Sequence, residues 1–347
     1  MSKAKACQIV FYCFLFALSA CTNSDNKAED YQQRVQTILE TEFELPQQKT
    51  LNFPRARDIN KEFEKLNKKH SISIREFLSL RECKLHVVLA QRNSLMGKVS
   101  VPSQILFNDL EILAYTPRCI EYLKQSNNLT MKNKLEVYLA EKQKEITVSL
   151  WRAILGSNEN AQFWHPNDQP ENYPQSLNQE SVANIKALTK IVGKIKSGEY
   201  SLSKQQQIEI EQNLKGLQNG DAGFLFHQLQ EQAGALQVAN TSIEARIKKP
   251  LCFTDNSTEK ARYFRNVVNK FFIEQVQVYA VSLNQRYTQL MDVYLELESK
   301  LETGSSKQYD KWKVQRDKRF TEYLNSTKEH VQYVQKLYKQ CGLQVSR

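Results

Sequence analysis

Apolar residues recur at three- and four-residue intervals along most of the chain, the period of an α-helix with one face turned inward. The first such stretch covers residues 28–43, with Tyr31, Val35, Ile38 and Leu39 on one face. Pro46 and Pro54 bracket a segment expected to be extended or irregular, because a residue before proline is pushed out of the helical region. Ser73 followed by Glu76 reads as a capping box. The helix it opens is expected to run to about Gly97, with Ile74, Phe77, Leu78, Leu85, Val88, Leu89 and Met96 on its apolar face and Arg81 and Arg92 beside them. Pro102 restarts a helix that should end near Tyr115, ahead of Pro117. Further helices are predicted over 130–155, 177–197, 202–217 and 220–247.

The C-terminal third has the clearest pattern. Residues 258–302 read as one helix, roughly 65 Å long at 1.5 Å per residue. In it Leu283, Tyr287, Leu290, Tyr294, Leu297 and Leu301 alternate by four and three, a heptad seam that needs a partner helix. After a turn at 303–306, a helix over 307–341 places Tyr309, Trp312, Phe320, Tyr323, Val331, Val334 and Tyr338 within an arc of about 100°. The short turn and the two seams together predict an antiparallel hairpin over 258–341 rather than a coiled coil with another protein. The expected fold is all-α: an elongated multi-helix bundle of antiparallel hairpins that ends in this long one. Residues 156–175, with Pro166, Pro170 and Pro174, break the periodicity. They are expected to be a loop between an N-terminal helical lobe (28–155) and a C-terminal one (176–347). Within that loop Trp164 is a candidate partner contact, since an exposed Trp anchors well in a pocket. The alternative is that it pins the loop to its own helices. Low Gly (10) and Pro (8) counts argue against a turn-rich β fold.

The first twenty residues follow a different rule. Lys3 and Lys5 precede an apolar run from Ile9 to Leu18, and Leu18-Ser19-Ala20-Cys21 follows. The run is too short to span a bilayer. A charged start, a short apolar core and small residues before a cleavage point make a signal peptide. With Cys21 directly after Leu-Ser-Ala it resembles the lipoprotein signal of bacteria, in which the cysteine is diacylated and becomes the mature N-terminus. The alternative is an ordinary secretory signal that happens to end in Cys. On the lipoprotein reading, residues 1–20 are removed, Cys21 is the lipidation site and 21–27 are a tether. Two acyl chains suffice for stable anchoring. Thr22, where Asp would signal inner-membrane retention, resembles outer-membrane sorting, so a lipid-anchored place on the periplasmic face of the outer membrane is expected.

That address changes the cysteine arithmetic. Of seven cysteines, Cys7 and Cys13 leave with the signal and Cys21 is acylated, so Cys83, Cys119, Cys252 and Cys341 remain. An even set in an oxidising compartment suggests two disulfides, with three possible connectivities. Cys83 and Cys119 lie at similar distances on either side of the 97–102 turn and would meet across a hairpin, which leaves Cys252 with Cys341. Unequal arms complicate the second pair: Cys341 should lie beside residues near 268, unless the helix bends or 248–258 folds back. No two of these cysteines are close in sequence and no His stands at ligand spacing, so no metal or cofactor is expected.

The formal charge of +10 falls to +10 − 2 = +8 once Lys3 and Lys5 are removed. In the envelope such a surface meets anionic headgroups or other envelope polymers rather than nucleic acid. Arg55, Arg57, Arg75, Arg81 and Arg92 concentrate near Asp58, Glu76, Glu82 and Asp109. They read either as a site for an anionic lipid or small molecule or as internal ion pairs that fix helix packing. A His86–Glu82 pair could do acid–base work but on a helix is more often a surface pair, and G-x-S-x-G, H-E-x-x-H and P-loop motifs are absent. No enzymatic activity is expected.

The segments Leu51-Asn52-Phe53-Pro54-Arg55-Ala56-Arg57-Asp58 and Ser73 to Cys83, followed by His86, Gln91-Arg92-Asn93-Ser94, Pro102-Ser103-Gln104 and Cys119, resemble a family of uncharacterised gamma-proteobacterial lipoproteins catalogued as a domain of unknown function. The resemblance implies an envelope location and supplies no activity. The expectation is therefore a non-enzymatic envelope lipoprotein that binds or scaffolds an envelope protein or other component, the alternative being a helical module for an anionic ligand.

Overall fold

The computed structural model describes residues 26–44, 51–64, 73–98, 100–165, 173–174, 179–252 and 257–343. Every regular element among them is helical, so the fold is all-α with long helices. The α-helices are α1 (Lys27–Leu39), α2 (Ala56–Glu64), α3 (Ile74–Leu78), α4 (Lys84–Asn93), α5 (Leu95–Lys98), α6 (Pro102–Gln125), α7 (Leu129–Ile154), α8 (Asn158–Phe163), α9 (Glu180–Lys196), α10 (Lys204–Lys215), α11 (Asp221–Lys248), α12 (Glu259–Val267), α13 (Gln277–Leu301) and α14 (Lys307–Gln340). Short 3₁₀ turns follow α10 and α13, and a π-helix over Val268–Val276 joins α12 to α13.

Contacts divide the chain into two units, one of residues 1–44, 235–276 and 332–347, the other of 45–234 and 277–331. The division does not follow chain order, and the expected interlobe loop at 156–175 falls inside the second unit.

In the first unit α1 packs on α12 and the π-helix. Asn26 caps α1 by accepting from the Glu29 amide at 3.3 Å. The helix ends at Glu40, whose φ of 50° turns the chain. Arg246 then holds that end, donating to the Leu39 carbonyl at 2.5 Å and pairing with Glu40. Tyr31 meets Phe272 at 5.5 Å between ring centres. The single helix expected over 258–302 is continuous but carries the π-helical stretch, whose wider turns keep Val268, Phe272 and Val276 all buried. Cys252 is bonded to Cys341 with Cα atoms 5.2 Å apart, and both pack on Ala261. Cys252 lies beside the start of α12, its sulfur 3.9 Å from the Thr258 hydroxyl. That resolves the unequal arms.

In the second unit α6 and α7 form an antiparallel hairpin, turned by Asn127 at φ 58° and capped by Asn128, which accepts from the Met131 amide at 3.3 Å. α4 packs on α6, and the Cys83–Cys119 disulfide ties them with Cα atoms 5.4 Å apart. Leu80, Leu85, Leu89, Ile112, Leu123 and Leu135 close a small core around that bond. The helix expected from Ser73 to Gly97 is instead three pieces. The capping box at Ser73 and Glu76 forms as predicted, and the Lys134 hydrogen bond, with those of Ser73, holds the Glu76 carboxyl down to about 2. α3 then stops after Leu78, Leu80 turns inward, and Cys83 takes an extended conformation to begin α4. Leu78 and Met96, expected on a buried face, are therefore exposed. Pro117 does not end its helix: α6 runs through it, with Leu113, Cys119 and Leu123 buried on either side. Packing of that face and the disulfide outweigh the one lost backbone bond.

The heptad seam forms, except that Tyr287 is only half-buried. Leu283, Leu290, Tyr294, Leu297 and Leu301 are fully buried on α13, and Tyr309, Trp312 and Phe320 face them from α14. Gly304, in the turn between them, passes so close to α7 that a Cβ there would stand 2.3 Å from the Thr147 carbonyl oxygen.

Candidate functional site

Among the described residues a dense cluster of ionisable and aromatic groups lies between α13 and α14 in the second unit. Arg316 is fully buried and forks onto Glu298, with Nη1 to Oε1 at 2.7 Å and Nη2 to Oε2 at 2.9 Å. Its Nε donates to Asp317 at 2.8 Å. Tyr309 also donates to Glu298, and the Lys313 ammonium stands 3.9 Å from the same carboxylate. The guanidinium carbon sits 5.0 Å from the Trp312 ring centre, 5.2 Å from Trp164 and 5.7 Å from Tyr294, within cation–π reach of all three. Trp164 donates its indole N–H to the Tyr294 hydroxyl at 2.9 Å, and that hydroxyl donates to Asn160 at 3.0 Å. Burial, then the Glu298 charge, pushes Tyr294 well above the ordinary phenol range. Burial alone would lower Arg316, but the Glu298 hydrogen bonds and charge leave it above the ordinary arginine value. Chemically the cluster is a closed salt bridge inside an aromatic cage.

A second buried pair joins α13 to the start of α11. Arg286 donates through Nε to Asp221 at 3.2 Å and through Nη2 to the other oxygen. Tyr173 donates to the same carboxylate at 3.3 Å, and burial followed by the Asp221 charge raises its pKa. The sequence reading missed Arg286, Glu298 and Arg316. The available signal was position. Arg286 stands three residues after Leu283 and four before Leu290, Glu298 four after Tyr294 and three before Leu301, and Arg316 four after Trp312 and four before Phe320. Each is a charge on an apolar stripe.

The expected sites fare differently. Trp164 is only 8% exposed and is held by Tyr294, Trp312 and Phe163. It pins its segment to the protein's own helices, so the candidate partner contact is corrected. The five arginines each follow a local arrangement. Arg55, just ahead of α2, pairs with Asp58 at 2.8 Å, Arg81 with Glu82 at 3.4 Å, and Arg92 with Asp109 at 3.8 Å. Arg57 and Arg75 are exposed on α2 and α3. Arg81, expected on an apolar face, is exposed because it falls in the break between α3 and α4. His86 stacks on Phe77 at 4.0 Å, while Glu82 pairs with Arg81. Cys83, Cys119, Cys252 and Cys341 form the two disulfides. Cys21 lies outside the described residues. Among the described residues no group of three or more His, Cys, Asp or Glu is placed to hold a metal, and no helix is long and apolar enough to cross a membrane.

Two open depressions flank α10. One of about 350 Å³ between α9 and α10 is lined by Lys190, Ile191, Lys194, Leu202 and Glu209. A broader one of about 570 Å³ faces α6 and includes Gln104, Phe107, Lys204, Ile208 and Lys215. Both mix apolar floors with charges of both signs.

These features define a disulfide-bonded all-α protein whose buried charges join its own helices. Residues 28–345 match the family described as a protein of unknown function, DUF3080, and the chain belongs to that family. No curated protein and no solved structure matches the chain.

Proposed function

We propose that this is an envelope lipoprotein without enzymatic activity, acylated at Cys21, held at the periplasmic face of the outer membrane, and binding or scaffolding another envelope component. The observation that carries the reading without enzymatic activity is the placement of the most concentrated ionisable groups among the described residues. Glu298, Arg316, Tyr309 and Tyr294 are buried and bonded to one another, so they fix helix geometry. Export is supported by the signal-like N-terminus and by disulfides that use all four cysteines beyond Cys21. The alternative of one anion site built from the five arginines is not favoured, because Arg55, Arg81 and Arg92 each pair with a different carboxylate.

The test is photo-cross-linking in intact cells, with the photoreactive residue placed at exposed positions of α3, α4 and α10. A discrete, reproducible adduct with one envelope component is expected. Cross-links spread over unrelated abundant proteins, or none at any position, would overturn the scaffold reading. Labelling with radioactive palmitate tests the anchor separately, with label expected on the wild-type chain and lost in Cys21→Ala.

A further inference from the structure

We infer that the groove between α9 and α10 binds a short peptide with free ends, its carboxylate set against Lys190 and Lys194 and its ammonium against Glu199 and Glu209. The groove holds about 350 Å³, within the range of small-ligand sites. Its floor is apolar: Ile191 and Leu202 are half-buried against the core of the second unit. α9 lines one wall and α10 the other, and the turn between them contributes Glu199 and Ser201.

Hydrogen bonds fix this frame. Gly198, at φ 96°, turns the chain, and the Glu199 amide then donates to the Lys194 carbonyl at 3.1 Å. A capping box of Ser203 and Gln206 starts α10, with bonds of 2.8 and 3.2 Å. It uses the Gln206 side-chain oxygen and leaves the side-chain N–H groups to donate into the groove. Asn213 does the reverse, giving an N–H to the Glu209 carbonyl at 2.7 Å and keeping its oxygen as an acceptor. One donor and one acceptor match the C=O and N–H of a peptide bond.

Charge identifies the ligand. Among the described residues Lys190, Lys194 and Glu199 form no ion pair or side-chain hydrogen bond, and Glu209 meets only Gln205, at 3.5 Å. With Lys186 the two lysines make a like-charge stripe at four-residue spacing along α9, a repulsion that a carboxylate relieves. Glu199 and Glu209 call for a cation in the same way. Opposite charges that line one groove and stay apart suit a ligand that carries both, well separated. Packed helix axes lie about 8–10 Å apart and an extended chain spans about 3.3–3.6 Å per residue, so a peptide of two or three residues reaches from wall to wall. Each exposed ion pair is weak alone, and the ligand engages four charges and the apolar floor together. This goes beyond the scaffold reading and does not rest on it.

The experiment is isothermal titration calorimetry of the unacylated polypeptide Thr22–Arg347, which holds every described residue, with the tripeptide alanyl-leucyl-alanine. Saturable one-to-one binding is expected. Amidating the peptide's C-terminus or acetylating its N-terminus should each weaken binding about threefold or more. Lys190→Gln/Lys194→Gln should weaken it similarly and abolish the response to amidation while keeping the response to acetylation, the signature of direct pairing. Glu199→Gln/Glu209→Gln should do the reverse. Both variants should melt like the wild type, as the four side chains are exposed. Lys204→Gln, on the other side of α10, should leave binding unchanged. Phosphoethanolamine, whose two charges lie closer together, should bind less tightly than the tripeptide. The inference is overturned if the tripeptide shows no saturable binding, if neither cap changes its affinity, if the lysine variant still responds to amidation, or if phosphoethanolamine binds as tightly, which would assign the groove to a lipid headgroup. The cross-linking and palmitate results stand or fall separately from all of these.

Discussion

Arg316→Met isolates the buried salt bridge. Methionine keeps length and makes favourable sulfur contacts with aromatic rings, so the cage of Trp164, Trp312 and Tyr294 stays filled. What changes is Glu298, which keeps the Tyr309 hydrogen bond but loses both guanidinium donors. Removing one partner of a buried pair typically costs about 3–5 kcal/mol. Lys313, 3.9 Å from Glu298, recovers part of this, so a loss of about 3 kcal/mol is expected. Replacing both charges, in Arg316→Met/Glu298→Leu, removes the stranded carboxylate. Apolar replacement of a whole buried pair is often neutral or stabilising, so the double variant should return to within about 1 kcal/mol of the wild type. Urea denaturation of Thr22–Arg347 followed by circular dichroism reads all three proteins. A single variant within about 0.5 kcal/mol of the wild type, or a double variant less stable than the single one, would refute the stranded-charge reasoning.

His330 is buried, and burial lowers its pKa from 6.5 to about 3. Below pH 6.5 the unfolded chain takes up a proton that the folded one refuses. Stability is therefore full above 6.5 and falls as pH drops towards 3, by up to about 1.4 kcal/mol per unit; His330→Phe should flatten that slope in pH-dependent urea melts. Cys83→Ser/Cys119→Ser opens a bond between positions separated by 36 residues, and loop entropy puts the loss at about 4 kcal/mol, read as a lower urea midpoint. Gly304→Ala drives a methyl against the Thr147 carbonyl oxygen and should cost about 1–3 kcal/mol; an unchanged melting temperature would show that the turn can shift freely.

The parts of the fold legible in the sequence are those where one period runs unbroken. The seam from Leu283 to Leu301 and the stripe on α14 predicted their own pairing because each needed a partner and a short turn joined them. The break at Ser79–Cys83 was not legible. Leu78, Leu85 and Met96 satisfy a helical period whether or not the helix is continuous, and the buried Leu80 and the disulfide decide otherwise. α2 went unread for a related reason: among its described side chains Ile59 and Phe63 are the buried ones, too few to define a period. Trp164 looked like an anchor because it stands in a largely polar stretch, while most of the groups that hold it, Tyr294 and Trp312 among them, lie far along the chain. The charges of the candidate site were visible as residues but not as buried ones. A sequence shows that Arg316 lies on an apolar stripe, and only the facing helix shows Glu298 waiting for it.

That facing arrangement explains why charges sit there at all. Leu283, Leu290 and Leu297 repeat every seven residues, so the apolar seam alone would fit nearly as well after a slide along its neighbours. The two ion pairs remove that freedom. Arg286 is matched to Asp221 on α11 and Glu298 to Arg316 on α14, so α13 is fixed to two different helices at points roughly 18 Å apart along its axis. A slide of one turn, about 5.4 Å, would strand both pairs in a low-dielectric interior. The pairs therefore act on register more than on total stability. The Arg316→Met/Glu298→Leu protein carries the corresponding signature: stability close to the wild type with faster amide exchange along α13. Unchanged exchange protection in that protein would assign register to the apolar packing alone.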